Sequence, residues 1–170
     1  MTIQTIIKLL ADGAVIPIIV IAGYALLFRV PKGHRYEAYV RILMAGLTSY
    51  LFAKLLGSIY QPSGERPFEI LGVAPGASYL NNPGFPSDHA LFTAFLTLAV
   101  WFETRQKILS VILVVLTLLV CVGRVLALVH TPLDVIGGLL VASVGALWYL
   151  QADRGKSGAE TRAKSKKLVQ

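Results

Sequence analysis

The chain of 170 residues is 55% hydrophobic and only 15% charged, with a mean hydropathy of +0.68. A soluble domain carries about 25% charged residues, so the composition excludes an ordinary water-soluble enzyme and points to a chain embedded in lipid. The formal net charge is +7, but the basic residues cluster in 29–41 and 154–167, beside apolar runs and without nucleic-acid motifs. That distribution makes a bilayer the expected partner and argues against nucleic acid. The single cysteine, Cys121, lies inside an apolar run, so no intrachain disulfide can form.

A membrane-spanning helix needs about 20 mostly apolar residues, and five segments qualify in chain order. The first, 3–28, carries Lys8 and Asp12 near its start. A signal peptide is its competing reading, but no small-residue cleavage site follows, and Arg29, Val30, Pro31 and Lys32 read as a loop after a span. It is therefore expected to be retained, with residues 1–12 open to lying flat at the interface. The second, 42–60, is broken only by Lys54; the third is 87–102; the fourth, 108–129, holds Arg124; the fifth, 132–151, holds Asp134. No internal repeat is present. The expected fold is all-α, a polytopic membrane helical bundle of about five transmembrane helices. It forms one membrane-embedded domain over 1–152, followed by a basic, disordered cytoplasmic tail over 153–170.

Charge asymmetry sets the expected orientation. With a cytoplasmic C-terminus, five spans put all but four of the 16 basic residues on the cytoplasmic side. The exceptions are Lys8, Lys54, Arg66 and Arg124, and three of these fall in the clusters that carry chemistry. The expected location is a cell membrane, with the candidate site on the extracytoplasmic face.

Three clusters stand out. In Gly123-Arg124-Val125-Leu126-Ala127-Leu128-Val129-His130-Thr131-Pro132-Leu133-Asp134, ionisable groups sit inside or beside spans, where they are costly and default to function. Pro132 suits a first helical turn, and Thr131 suits the cap before it. Asp134 then lies near His130 across a tight corner, where a carboxylate can fix the imidazole tautomer and leave the other nitrogen free to attack. A purely structural His130–Asp134 pair is an equal reading of this segment alone. The second cluster, Phe85-Pro86-Ser87-Asp88-His89-Ala90, precedes an apolar run. Ser87 is a natural N-cap, the helix start offers free N–H groups to phosphate, and His89 can hand a proton to a leaving oxygen. An isolated tetrapeptide of this kind reads equally as a capped helix with an interfacial histidine. The third cluster is Lys54 with Arg66-Pro67, whose bland reading is a snorkelling lysine and a loop arginine.

In order, the clusters resemble the three signature motifs of the type 2 phosphatidic acid phosphatase superfamily. That pattern is Lys, six residues, Arg-Pro; then Pro-Ser-Gly-His; then Ser-Arg, five residues, His, three residues, Asp. Arg124, His130 and Asp134 match the third motif without a gap, with Gly123 in place of serine. Pro86-Ser87-Asp88-His89 matches the second, with Asp88 in place of glycine. The first departs: eleven residues separate Lys54 from Arg66, so Arg66 carries over more firmly than Lys54. The resemblance covers roughly 50–150 and is one span short of the family's six-helix core.

The resemblance implies a membrane lipid phosphatase. His130 is the nucleophile that forms a phosphohistidine, Asp134 orients it, and His89 is the general acid and base. Arg124, Arg66, Ser87 and Lys54 bind the phosphate. Neither metal nor cofactor is implied. Phe-Pro-Ser-Asp-His looks like the branch of bacterial undecaprenyl diphosphate phosphatases. Phosphatidate, phosphatidylglycerol phosphate and lipid A phosphate stay open as substrates. Rival functions are a lipid phosphotransferase and a non-enzymatic lipid-binding protein with a decayed site. The hydropathy excludes a soluble haloperoxidase.

Overall fold

Inside lipid a backbone must satisfy its own hydrogen bonds, and the apolar runs of this chain all resolve into helices. The computed structural model describes residues 2–61, 64–82 and 84–151, and the tail expected over 153–170 lies outside them. Among the described residues there are helices and loops but no strand. In chain order these are α1 (Ile3–Lys8), a π-helical turn (Leu9–Gly13), α2 (Val15–Phe28), α3 (Arg35–Ile59), the short α4 (Pro67–Ile70), α5 (Asp88–Thr104), α6 (Lys107–Leu126) and α7 (Pro132–Gly145).

Among the described residues, four helical runs are long and apolar enough to cross a membrane: Ile3–Phe28, Lys32–Ile59, Lys107–Leu126 and Pro132–Gln151. The third expected span, 87–102, corresponds to α5, which has 17 residues and rises about 25 Å, short of a hydrocarbon core about 30 Å thick. It is nevertheless the central helix, packed against α2, α3, α6 and α7. Its first turn carries Asp88 and His89, and it ends where Arg105 turns left-handed at φ 57. The expected second span began at 42, yet α3 starts at Arg35. The added turns carry Glu37 and Arg41, whose side chains approach at 3.7 Å, and Arg41 also makes a two-pronged pair with Glu103 of α5 at 2.7 and 2.8 Å. The fourth was expected to reach 129, but α6 stops at Leu126 and Leu128 reverses the chain at φ 59.

Side-chain size follows a lipid-facing logic. The buried positions of α2 and α3 include Ala22, Ala25, Ala38, Ala45, Ser49 and Ala53, while Ile16, Val20, Leu43, Leu47, Leu51 and Leu55 face outward. In the two N-terminal spans only 17% of the most apolar window is buried within the protein. Lipid solvates the outer leucines as well as a core would, so helix association rests on close backbone approach at small residues.

Helix α7 shows this most clearly. A Cβ on Gly138 would lie 2.6 Å from the Ser87 carbonyl oxygen, and one on Gly145 would strike the Ala45 carbonyl of α3. These glycines let α7 settle between α3 and α5. Polar links cross the bundle elsewhere: Thr97 and Thr117 hydroxyls meet at 3.0 Å, and the Trp148 indole donates to Thr48 Oγ1 at 3.0 Å. The C-terminal ends of α3 and α6 and the N-terminal ends of α5 and α7 gather at one end of the bundle, which is where all three sequence clusters lie.

Gly138→Ala is expected to destabilise the protein by about 1–3 kcal/mol, because the atom in the way is backbone and cannot rotate aside. Gly23→Ala on α2, where nothing lies within 4 Å of the new Cβ, is expected to be neutral or to stabilise by up to about 1 kcal/mol. Thermal unfolding in detergent checks both.

Candidate active site

The site is built on a corner. After α6, Ala127 N–H bonds back to Gly123, and Leu128 in its left-handed conformation swings the chain toward α7. Three parts of the preceding loop then grip the corner. Phe68 N–H donates to Leu128 O at 3.0 Å, Gly76 N–H donates to Ala127 O at 3.0 Å, and an Arg66 Nη1 donates to Val129 O. Thr131 caps α7 in a reciprocal box. Its Oγ1 accepts from Asp134 N at 3.2 Å, and Asp134 Oδ2 accepts from Thr131 N at 2.7 Å. His130 is held between these fixed points.

His130, expected from sequence to be the nucleophile, lies at this corner. His130 is 5% exposed, and its Nδ1 faces Asp134 Oδ2 at 3.6 Å. That is longer than a hydrogen bond, and Nδ1 has no hydrogen-bond partner among the described residues. The Nε2 side is left to the cavity that the ring lines. Burial, aided by the nearby charges of Arg124 and Arg66 and opposed by Asp134, holds the imidazole below its ordinary value of 6.5. The ring is therefore neutral at pH 7, the form that can attack.

A cavity of about 140 Å³ opens beside this ring, many times the space one water needs. His130, His89, Arg124, Arg66 and Asp88 line it, with Ser78, Tyr79, Leu80, Asn82 and Gly84 completing the wall. The two motif histidines thus share one chamber. Arg124 is 1% exposed and donates to Asp12 Oδ1 at 2.9 Å. Asp12 is a partner that sequence reasoning registered only as an interruption of the first span.

The remaining expected residues divide. Ser87 takes the N-cap position of α5 but makes no side-chain cap; its Oγ is fully buried and unpartnered among the described residues. Its N–H donates to Asp134 O at 2.9 Å, tying the starts of α5 and α7 together. Arg66 is 4% exposed and spends most of its fork on the fold. Nε donates to Asn82 O at 3.2 Å, and Nη2 donates to Leu80 O at 3.0 Å and Asn82 Oδ1 at 2.7 Å. With the Nη1 bond to Val129 O, one of its five N–H groups remains for the cavity. Lys54 does not line the cavity. It pairs with Asp88 Oδ1 at 3.3 Å on the outer flank and lies over the Tyr50 ring at 5.2 Å.

The capping box gives Asp134 a structural duty separable from its charge. Asp134→Asn keeps an oxygen for Thr131 N–H and is expected to cost little stability. Asp134→Ala removes the box and is expected to cost about 0.5–2 kcal/mol. Denaturation of the two variants side by side in detergent checks the difference.

The profile of the PAP2 superfamily matches residues 38–156. No curated protein and no solved structure matches the chain. The matched segment contains the three clusters whose histidines and arginines meet in the cavity, and it leaves α1, the π-helical turn and α2 outside. The chain belongs to the PAP2 superfamily, whose members are phosphatases acting on lipid and other phosphate substrates.

Proposed function

We propose that the protein is an integral membrane lipid phosphatase that works through a phosphohistidine on His130. The observation that carries this reading is the shared chamber: both motif histidines and two guanidiniums line one pocket of about 140 Å³ at one end of an apolar bundle. His130 Nε2 attacks the terminal phosphorus, its bond to the leaving oxygen breaks (the lipid's own oxygen in a monophosphate, the bridging oxygen in a diphosphate), and His89 gives that oxygen a proton. Water, giving a proton to His89 as base, then attacks phosphorus and the P–N bond breaks. Inorganic phosphate leaves and His130 is restored. Asp134 steadies the imidazolium character that develops on His130. Arg124, with the charge and remaining N–H of Arg66, stabilises the phosphoryl oxygens. The two steps are written with resident side chains and water, and they give a metal no part.

A second opening supports a lipid substrate. A groove of about 390 Å³ between α3 and α5 is lined by Gly46, Leu91, Phe92 and Phe95 and shares Leu80 and Asp88 with the catalytic chamber. A long apolar chain lying there would hold its phosphate at the chamber. The Phe85-Pro86-Ser87-Asp88-His89 segment favours undecaprenyl diphosphate, converted to undecaprenyl phosphate in cell-wall biogenesis. The positive-inside distribution favours a cell membrane with the chamber on its extracytoplasmic face and a cytoplasmic C-terminus.

Purified protein in detergent is expected to release inorganic phosphate from a lipid phosphate or diphosphate in the presence of chelator. His130→Ala is expected to abolish release, and Arg124→Ala to lower turnover by about 10²–10³-fold. Phosphate passed to a second lipid instead of water would identify a phosphotransferase. Lipid binding without turnover would contradict the enzymatic reading. A panel of undecaprenyl diphosphate, phosphatidate, phosphatidylglycerol phosphate and lipid A phosphate ranks the substrates by kcat/KM.

The depressed titration of His130 sets the acid side of the rate. The neutral ring attacks, so the rate of phosphoenzyme formation is expected to hold as pH falls from 7 through 6.5 and to decline only below that. The profile is to be corrected for the substrate's own ionisation near pH 6. Rapid-quench measurement across pH 5–8 checks this, and an acid limb centred at or above 6.5 would contradict it.

A further inference from the structure

Asp12 stands in an otherwise apolar helical run, where a carboxylate is costly and calls for a partner. The helix is wound there into the π-helical turn Leu9–Gly13, a local insertion common at functional sites. The turn presses on α6 where the superfamily pattern has serine and this chain has Gly123. A Cβ at Gly123 would lie 2.6 Å from Ala11 N and 2.8 Å from the Leu10 carbonyl carbon, both backbone atoms. The glycine and the turn therefore fit each other and no larger residue. At this contact Asp12 Oδ1 accepts from Arg124 Nη1 at 2.9 Å, while Oδ2 accepts from Ser78 N–H at 2.9 Å. Ser78 belongs to the loop that walls the chamber. Arg124 is 1% exposed, and its Nε is buried with no partner among the described residues.

We propose that Asp12 is a positioning residue for the phosphatase reaction. It holds Arg124 by one Nη group and fixes the chamber wall at Ser78, so that the remaining guanidinium donors are set toward the phosphoryl oxygens before substrate arrives. The inference rests on the phosphatase reading of the chamber. It assigns a part in the reaction to a segment outside the matched residues 38–156. The contact replaces the serine of the pattern: what a hydroxyl beside the arginine would have contributed is exchanged for a carboxylate reaching in from another helix. Without Asp12, Arg124 is a buried guanidinium lacking its ion-pair partner, which is strongly unfavourable, and it would swing to find another acceptor.

The test measures steady-state phosphate release from a lipid phosphate by the full chain in detergent. It compares wild type, Asp12→Asn, Asp12→Ala, Arg124→Ala and the Asp12→Asn/Arg124→Ala double variant. Asparagine is nearly isosteric but offers one acceptor oxygen where two are used, so Asp12→Asn carries the test should the alanine variant not fold. The Asp12 variants are expected to lose about 10–10²-fold in kcat, the scale of a misplaced catalytic group. KM is expected to move less than about threefold, as for an interaction realised in the transition state. Adding Asp12→Asn to Arg124→Ala is expected to lower activity no further, because the carboxylate acts through the guanidinium. Equal fractional losses in both backgrounds would show a general structural role and overturn the proposal, as would unchanged kcat in Asp12→Asn. Loss in Arg124→Ala with wild-type turnover in the Asp12 variants overturns this inference alone, whereas a wild type that releases no phosphate overturns the phosphatase reading and this inference with it.

Discussion

A single backbone hydrogen bond, Ser87 N–H to the carbonyl of Asp134 at 2.9 Å, joins the start of α5 to the start of α7. Each of these helix starts carries a histidine beside it, His89 within the first turn of α5 and His130 two residues before Pro132. Gly138 has no side chain to hold the Ser87 carbonyl away, so the two helices approach closely at this point. The backbones that carry the two imidazoles are thus tied by main-chain contact. Sites built on such rigid elements hold their geometry better than sites on loops. The His130 corner is tied in turn to the loop after α3 through Phe68, Arg66 and Gly76. Outward movement of α7 would therefore pull on every motif segment at once.

The grouping of motif residues was legible from their spacing: Arg124, His130 and Asp134 read as one group from the chain alone, and in the fold Arg124 and His130 line one cavity with Asp134 3.6 Å from His130. The departures from the pattern were not legible, because each is compensated by a residue distant in sequence. Asp88 occupies the glycine position of the second motif, and Lys54 is displaced by the longer first motif. In the folded chain the two meet at 3.3 Å, so the added carboxylate and the displaced ammonium answer each other. Gly123 occupies the serine position of the third motif, and the turn carrying Asp12 fills the vacated space. The partner residues are 34 and 112 positions apart, beyond the reach of any local pattern.

Helix existence was equally legible and helix ends were not. Hydropathy marks where lipid contact is tolerable, whereas ends are fixed by particular backbone events, such as the left-handed Arg105 and Leu128 or the polar pair that carries α3 back to Arg35. Arg66 gives the same lesson for function. Its place before Pro67 points to phosphate, but its fork is largely committed to the carbonyls of Leu80, Asn82 and Val129. Arginine satisfies several acceptors at once with one rigid plane, so a residue read as a ligand for phosphate also serves as the clasp of the loop that encloses the chamber.

This double duty follows from what a pocket lined by buried cations must withstand. A pocket rich in buried cations is unstable until its anion arrives, because an unpaired buried charge is strongly destabilising. Here both chamber cations have internal acceptors: Arg124 has Asp12, and Arg66 has main-chain carbonyls with Asn82. Those acceptors stabilise the free protein and at the same time compete with phosphate, so each must leave part of its cation uncommitted. Asp12 takes a single Nη of Arg124 and leaves Nε bare, and the clasp on Arg66 spares one N–H. The cations are thereby held in place without being saturated, as the proposed phosphatase reaction requires, since donors must remain for the charge that builds in its transition state.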